Sequence, residues 1–204
     1  MFSETAHGGA AEKRGTLVSR ALDSSRSPRP WQPRRAATAR FAIACDRGLP
    51  LHAEACLPFV DVNAVCTFPK PGTGLTNACA RGHTHVVARL LATKDINVNR
   101  LVREIAMGTA LLQATSRGHL EIVRLLLNAP GIDVNGTGDG DVHRGTPLHV
   151  AAIDQHLGIV NALLDAPGID VNLRDEDGFA PLHAACEMGS TDIVERLVAV
   201  DGID

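Results

Sequence analysis

The chain has 204 residues, a length that fits one domain with a modest tail. Aromatic residues make up only 3% of it, and no run of about 18 apolar residues occurs, so we expect no insertion into a membrane. Residues 1–40 hold eight Lys/Arg and three Asp/Glu, a net of +5, whereas residues 41–204 hold twelve and twenty, a net of −8. Because an acidic body repels a polyanion, we do not expect nucleic acid as a partner.

Residues 1–37 are rich in Arg, Ser, Pro, Ala and Gly and show no sustained periodicity. Such a tract buries too little apolar surface to offset its chain entropy, so we predict a disordered tail. Two alternatives stay open. The composition is also typical of an organelle transit peptide, although Glu4 and Glu12 weaken that interpretation. The spacing of Pro30, Pro33 and Arg35 is that of a polyproline II docking motif.

From residue 38 onward the sequence repeats itself. Four clear copies lie at residues 72–99, 108–135, 145–172 and 178–204, and residues 38–63 form a degenerate first copy that is two residues short. A period in the thirties predicts a solenoid, in which each unit buries its apolar side against its neighbours. We therefore predict one all-α repeat domain spanning residues 38–204.

Each copy predicts two short helices. In the copy at residues 145–172, Thr146 fits a helix N-cap and Pro147 the first helical position. The sister copies end their first helix with glycine, but Gln155 stands at that place here, where a left-handed backbone costs about 1 kcal/mol. Four apolar positions (i, i+1, i+4, i+5) predict the buried stripe of each second helix. They are Val86, Val87, Leu90 and Leu91; Ile122, Val123, Leu126 and Leu127; Ile159, Val160, Leu163 and Leu164; and Ile193, Val194, Leu197 and Val198.

Taken together, these motifs resemble the ankyrin repeat. The resemblance rests on Thr146-Pro147-Leu148-His149, Gly118-His119, the Ile-Val-x-x-Leu-Leu pattern and Asp-Val-Asn, and it covers about residues 41–204. It implies antiparallel helix pairs, projecting β-turn fingers, and a concave side that binds other proteins. We therefore expect a non-enzymatic scaffold or adaptor for another protein, without a cofactor and located in the cytoplasm. The alternatives are a nuclear or organelle-targeted adaptor, or the regulatory region of a larger multidomain enzyme.

The loops between copies, which we call the fingers, are the candidate contact sites. The second finger, RLVREIAM, is unusual because it carries apolar residues on a loop. Exposed apolar residues mark partner sites, although these could instead pack against neighbouring fingers or helices. We predict partner contacts at Arg100, Leu101, Arg103, Ile105, Met107, Asp139, Asp141, His143, Arg174, Asp175 and Glu176.

The asparagine that ends each copy is a candidate modification site. In ankyrin proteins, a Leu eight residues before such an asparagine resembles the target of an asparaginyl hydroxylase. Asn99, Asn135 and Asn172 satisfy this spacing, whereas Asn63 does not, because Ala55 stands at the Leu position. The alternative is that each asparagine bonds the backbone of its own turn.

We predict structural roles for the histidines and cysteines. The resemblance implies that His149 and His183 form hydrogen bonds between neighbouring units. Cys79, His83 and His85 could be drawn as metal ligands, but no fourth ligand follows at a recognised spacing. Residues 138–141 resemble a fragment of a calcium loop but lack its closing Glu. We therefore expect no metal site and no catalytic residue. The five cysteines, an odd number without a Cys-x-x-Cys pair, indicate a reducing compartment.

The final copy predicts an uncovered end. Its stripe is as apolar as those of the internal copies, whereas the terminal unit of a solenoid usually has a polar outer face. We expect Leu197, Val198 and Val200 to be incompletely shielded, which would cause fraying or self-association at the C-terminal end. The alternative is that the natural context of the chain supplies another repeat.

Overall fold

The structure, a computed structural model, describes residues 33–67, 71–102, 108–138 and 145–203. Ten α-helices and one 3-10 turn occur within these residues. They are α1 (Pro33–Asp46), α2 (Pro50–Cys56), the 3-10 turn (Leu57–Phe59), α3 (Gly74–Arg81), α4 (Thr84–Leu91), α5 (Ala110–Ser116), α6 (Leu120–Leu127), α7 (Pro147–Ile153), α8 (Leu157–Leu164), α9 (Pro181–Glu187) and α10 (Thr191–Val198). The predicted all-α repeat fold is confirmed.

The first helix of each repeat begins at a cap that the sequence supplies. Thr73 accepts a hydrogen bond from the backbone N–H of Thr76 at 3.1 Å, and Thr109 accepts one from Leu112 at 3.3 Å. In α7, Pro147 occupies the first turn, and the backbone N–H of Thr146 donates to Nδ1 of His149 at 3.1 Å. These bonds satisfy donors that a helix start leaves unpaired.

The core lies between two layers of helices. First helices pack on first helices (α3 on α5, α5 on α7, α7 on α9), and second helices pack on second helices (α2 on α4, α4 on α6, α6 on α8, α8 on α10). The first three stripe positions of α4, α6 and α8 are buried, whereas the fourth, at Leu91, Leu127 and Leu164, is only partly buried. The stack therefore buries most of each predicted stripe.

The first described helix begins before the predicted boundary of the repeat domain. Helix α1 starts at Pro33, inside the stretch assigned to a tail ending at residue 37. Proline suits a first helical position, and the following Arg-Arg-Ala-Ala run has high helix propensity. The rest of the predicted disordered tail, residues 1–32, lies outside the described residues.

Glycine and histidine face each other between consecutive repeats. Gly48, Gly82 and Gly118 all have positive φ, and a Cβ at each would come within 3.0 Å of a histidine ring in the next repeat. Those rings belong to His83, His119 and His156 respectively. The glycine is therefore required both by its backbone and by the ring that covers it.

Both members of this pair are replaced where the copy at residues 145–172 meets the last copy. Gln155 has φ 59°, which confirms the left-handed backbone predicted for it. The position that would hold the covering histidine is Ser190, so the Gln155 side chain has room. Its amide instead donates to the Met188 carbonyl at 3.4 Å.

The last repeat is better packed than its sequence predicted. Leu197, expected to be incompletely shielded, is fully buried, because it lies on the side of α10 that faces the preceding repeat. Val200 is partly buried, whereas Val198 is 57% exposed. The prediction of incomplete shielding is therefore wrong for Leu197 and confirmed for Val198.

Candidate functional site

The C-terminal ends of the five first helices align in one row that is exposed except at the partly buried Asp46. We call this set the turn row; it comprises Asp46, Arg47, Arg81, Arg117, Ile153, Asp154, Glu187 and Met188. Two contacts between repeats demonstrate the alignment. Arg81 Nε donates to Asp46 Oδ1 at 2.9 Å, and Gln155 reaches the Met188 carbonyl. Because the first helices stack side by side, their last residues form a continuous strip along the domain.

The turn row changes in character along its length. Its first three repeats present the exposed cations Arg47, Arg81 and Arg117, of which Arg81 pairs with Asp46. Its last two repeats present acidic and apolar side chains instead. Ile153 is 48% exposed and lies beside the exposed Asp154. One end of the row therefore suits an anionic contact, and the other an apolar or basic contact.

The sequence-based site prediction missed the turn row. A signal was available in the two residues before the turn position, which read Asp-Arg, Ala-Arg, Ser-Arg, Ile-Asp and Glu-Met in successive copies. The flanking helix residues keep small or apolar character, because they are buried in the stack. Side chains that differ from repeat to repeat, next to positions that stay small or apolar, indicate a surface that can be specific for a partner.

The second finger is partly a packed element. Val102 is fully buried and forms an antiparallel bridge with Gly108, while Leu101 is half-buried and Arg100 is exposed. The packing alternative is therefore correct for Val102. The other predicted contact residues of this finger, Arg103, Ile105 and Met107, lie outside the described residues, as do Asp139, Asp141 and His143 of the third finger.

Asp175 holds the last finger in shape. Its Oδ1 accepts the backbone N–H of Asp177 at 3.0 Å and that of Phe179 at 2.8 Å. Arg174 donates to the Gly178 carbonyl at 3.0 Å, and both Arg174 and Glu176 are exposed. Of the three predicted contacts on this finger, Asp175 has a structural task, while Arg174 and Glu176 keep exposed charges.

The terminal asparagines connect successive repeats. Asn99 donates to the Gly131 carbonyl at 2.7 Å and accepts from the Asp133 N–H at 2.9 Å. Asn135 makes the corresponding pair of bonds to the Gly168 carbonyl and the Asp170 N–H, at 2.8 and 3.0 Å. Asn63 and Asn172 also bond the following repeat, and we call these four residues the asparagine ladder.

The ladder corrects one interpretation of the sequence. The bonds to each turn itself come from the Asp or Asn two residues earlier, as when Asp133 Oδ1 accepts the Asn135 N–H at 3.0 Å. The ladder side chains point onward to the next repeat instead. Hydroxylation of Asn99, Asn135 and Asn172 stays a prediction, and an enzyme would first have to release these bonds.

The histidines confirm part of their predicted role. His149 Nε2 bonds the Phe179 carbonyl at 2.9 Å, and burial lowers the pKa of His149 despite that bond and nearby Asp175. His183 keeps the bond from its own cap, Ala180 N–H to Nδ1 at 3.2 Å. His83 bonds the Asp46 carbonyl at 2.9 Å. The imidazoles at these positions therefore have a structural role, because they form hydrogen bonds with backbone groups.

Cys45 and Cys79 are buried in the stack and behave as small apolar residues, whereas Cys186, at the equivalent position of the last repeat, is exposed. Burial raises the pKa of the Cys45 thiol to about 12, with smaller contributions from Cys66 and Cys56, and burial also raises the pKa of Cys79. Deprotonation to a metal-binding thiolate is therefore disfavoured at both positions. No cluster of three His, Cys, Asp or Glu ligands forms among the described residues.

A family comparison agrees with this architecture. The family model described as ankyrin repeats (3 copies) matches residues 41–138 and again residues 137–204. No curated protein matches the chain. None of the helices in the described ranges is both long and apolar enough to cross a membrane.

Proposed function

The chain belongs to the ankyrin-repeat family, whose repeats mediate protein–protein interactions, and on that premise we propose that it is a non-enzymatic scaffold or adaptor. The observation that carries the proposal is the turn row. Its side chains are displayed on a rigid stack, and Ile153 is a large exposed apolar residue flanked by charges. A central apolar contact with a charged rim is the usual composition of a protein-binding surface.

The turn row defines the chemistry of its partner. The body of the chain is acidic, so the local row of Arg47, Arg81 and Arg117 stands out from its surroundings. Such a row favours a partner segment that is acidic where it meets the first three repeats. The same segment would place an apolar side chain on Ile153 and a basic group near Asp154. Complementary charges of this kind set orientation and association rate more than affinity.

The fingers extend this surface. Arg100, Leu101, Arg174 and Glu176 are the predicted finger contacts that keep exposed or half-exposed side chains. We propose Arg103, Ile105, Met107, Asp139, Asp141 and His143 as further contacts. We also propose a reducing compartment, the cytoplasm, because Cys45 and Cys79 serve as packing residues. Self-association through the final repeat completes the proposal.

A matched pair of variants tests the scaffold. The row variant combines Arg117→Glu with Ile153→Asp, and the control variant combines Ala88→Asp with Glu195→Lys, all at exposed positions. Tagged chains would be used to capture proteins from cells, with quantitative mass spectrometry as the readout. We expect the row variant to lose most specific partners and the control to keep them. Equal capture by both variants would refute the proposed surface.

The second finger has its own internal control. Replacing Leu101 and Ile105 by Asp should weaken binding and leave the circular dichroism spectrum and urea midpoint unchanged. Val102→Asp should instead lower the urea midpoint, because Val102 is fully buried. If the Leu101 and Ile105 variant unfolds as readily as Val102→Asp, these residues serve packing and not partner contact.

A further inference from the structure

The outer face of α9 is uncovered, although the same face is covered in every earlier clear repeat. The positions of Leu182, His183 and Cys186 correspond to residues that are at most 2% exposed in those repeats. Those residues are Leu75, Thr76 and Cys79; Leu111, Leu112 and Thr115; and Leu148, His149 and Ala152. In the last repeat, Leu182 is partly exposed, and His183 and Cys186 are exposed. We call the surface formed by Phe179, Leu182, His183, Cys186 and Glu187 the end face.

The end face has the shape and composition of an interface. All five of its residues line a depression of about 560 Å³. Phe179 is 52% exposed and is the largest apolar side chain of this face. Contiguous apolar surface with a polar margin marks an association site.

Two polar groups on this face complement each other. His183 Nδ1 accepts the Ala180 N–H, so its proton lies on Nε2. The equivalent nitrogen of His149 bonds a carbonyl of the next repeat, whereas Nε2 of His183 has no partner among the described residues. Glu187 lies one helical turn after His183 and is exposed, so the same helix face offers one donor and one acceptor.

We propose that the end face binds the end face of a second copy of this chain across a two-fold axis. The proposal rests on the self-association included in the proposed function and adds its geometry. When two α9 helices cross antiparallel at the level of Ala185, residue 183 of each faces residue 187 of the other. His183 then donates to Glu187 of the second copy, and the two Cys186 side chains come close. A two-fold contact satisfies both copies and closes the assembly.

Head-to-tail stacking does not fit the other end of the chain. The first residue of each later first helix is small: Gly74, Ala110, Pro147 or Pro181. A Cβ at Gly74 would already come within 2.6–3.0 Å of Phe41 and Cys45 of the preceding repeat. The corresponding residue in the first repeat is the exposed Arg40. If α1 of one copy stacked on α9 of another, Leu182 and Cys186 would take the places of Phe41 and Cys45. The Arg40 side chain would then collide with them.

A charge swap tests the geometry. The mass of the 204-residue chain would be followed by sedimentation equilibrium across roughly 1 µM to 1 mM, the range in which modest interfaces dissociate. We expect dimers in the unmodified chain and at least tenfold weaker association for His183→Glu and for Glu187→His. The double variant, His183→Glu with Glu187→His, should restore association to within about threefold. Glu195→Lys on α10, outside the end face, should leave it unchanged.

The single variants should keep their fold, because both side chains are exposed and Glu at the third helical position can accept the same cap bond. A cysteine-specific bifunctional crosslinker gives a second readout, since Cys186 is the one exposed cysteine among the five. It should join two chains in the unmodified protein and not in Cys186→Ser. A monomer at every concentration would overturn both self-association and its geometry. Dimers that the double variant fails to restore would overturn the geometry alone, and self-association would stand.

Discussion

Replacing Gln155 by glycine should stabilise the stack, and the gain should depend on Ser190. A non-glycine residue held at positive φ, here 59°, loses about 1–2 kcal/mol. Glycine also has more conformational freedom in the unfolded chain, which lowers the free energy of unfolding by about 0.4–1 kcal/mol and so offsets part of the gain. The bond from Gln155 to the Met188 carbonyl is long, at 3.4 Å, and exposed, so its loss subtracts little. We expect a net stabilisation of about 0.5–1 kcal/mol.

Ser190→His supplies the other half of the test. In the sister repeats, a histidine ring lies where a Cβ on the preceding glycine would stand, within 3.0 Å. A histidine at position 190 should therefore collide with the Gln155 side chain and destabilise the chain by about 1–3 kcal/mol. In the Gln155→Gly background the same histidine has room, as in the other repeats. The two substitutions should thus show a favourable coupling of at least about 1 kcal/mol.

Urea unfolding of the four chains, followed by far-UV circular dichroism, measures this coupling. The comparison requires equal slopes of free energy against urea, so that midpoints report stability. Ala88→Gly, in an exposed part of α4, is the control and should destabilise by about 1 kcal/mol. Additive effects of Gln155→Gly and Ser190→His would refute the pairing between the two positions. A loss of stability in Gln155→Gly would show that the side-chain bond outweighs the backbone strain.

Three further substitutions report on the connections between repeats. Asp95→Gly should stabilise by about 0.5–1 kcal/mol in urea unfolding, because Asp95 has φ 66° where a sister repeat has Gly131 at φ 73°; no gain would contradict this. Asn135→Ala should destabilise by about 1–2 kcal/mol, since it removes both ladder bonds to the next repeat; an unchanged urea midpoint would show that these bonds contribute nothing net. The lowered pKa of His149 means that its contribution to stability is complete above pH 6.5 and is lost as the pH falls through the folded-state pKa. The His149→Leu variant should therefore lose less stability on acidification, as measured by urea unfolding above and below pH 6.5. An unchanged pH dependence would show that other groups cause the loss.

The periodicity of the sequence was sufficient to predict the repeat fold. Apolar residues such as Val87, Val123 and Val160 recur at fixed places, and their burial against neighbours dictates two helices per unit. The start of α1 could not be predicted in the same way. Residues 33–40 have helix propensity without an apolar period, so the tail and the helix differ little in composition.

Contacts between repeats were harder to predict because they join residues more than thirty positions apart. The sequence identified Gln155 as a strained position. That Ser190 of the next repeat leaves room for its side chain could be seen only once the register of the stacked repeats was known. Asp95 escaped notice because the preceding residues, Thr-Lys, lack the Pro-Gly turn signal of the later repeats. The turn row was missed for a related reason. Arg recurs at one position in the first three repeats, but the last two repeats break that pattern, and only alignment of the helix ends unites the whole row.

Site-specific photo-crosslinking tests the central claim, that the first-helix side of the stack binds protein, most directly. A benzoylphenylalanine would be placed in cells at Ile153 on the turn row and, in a separate chain, at Ala88 on the second-helix side, both exposed. Irradiation should join discrete proteins to position 153 and not to position 88, and Arg117→Glu in the same chain should reduce those products. Discrete products at position 88 with none at position 153 would contradict the proposed binding surface.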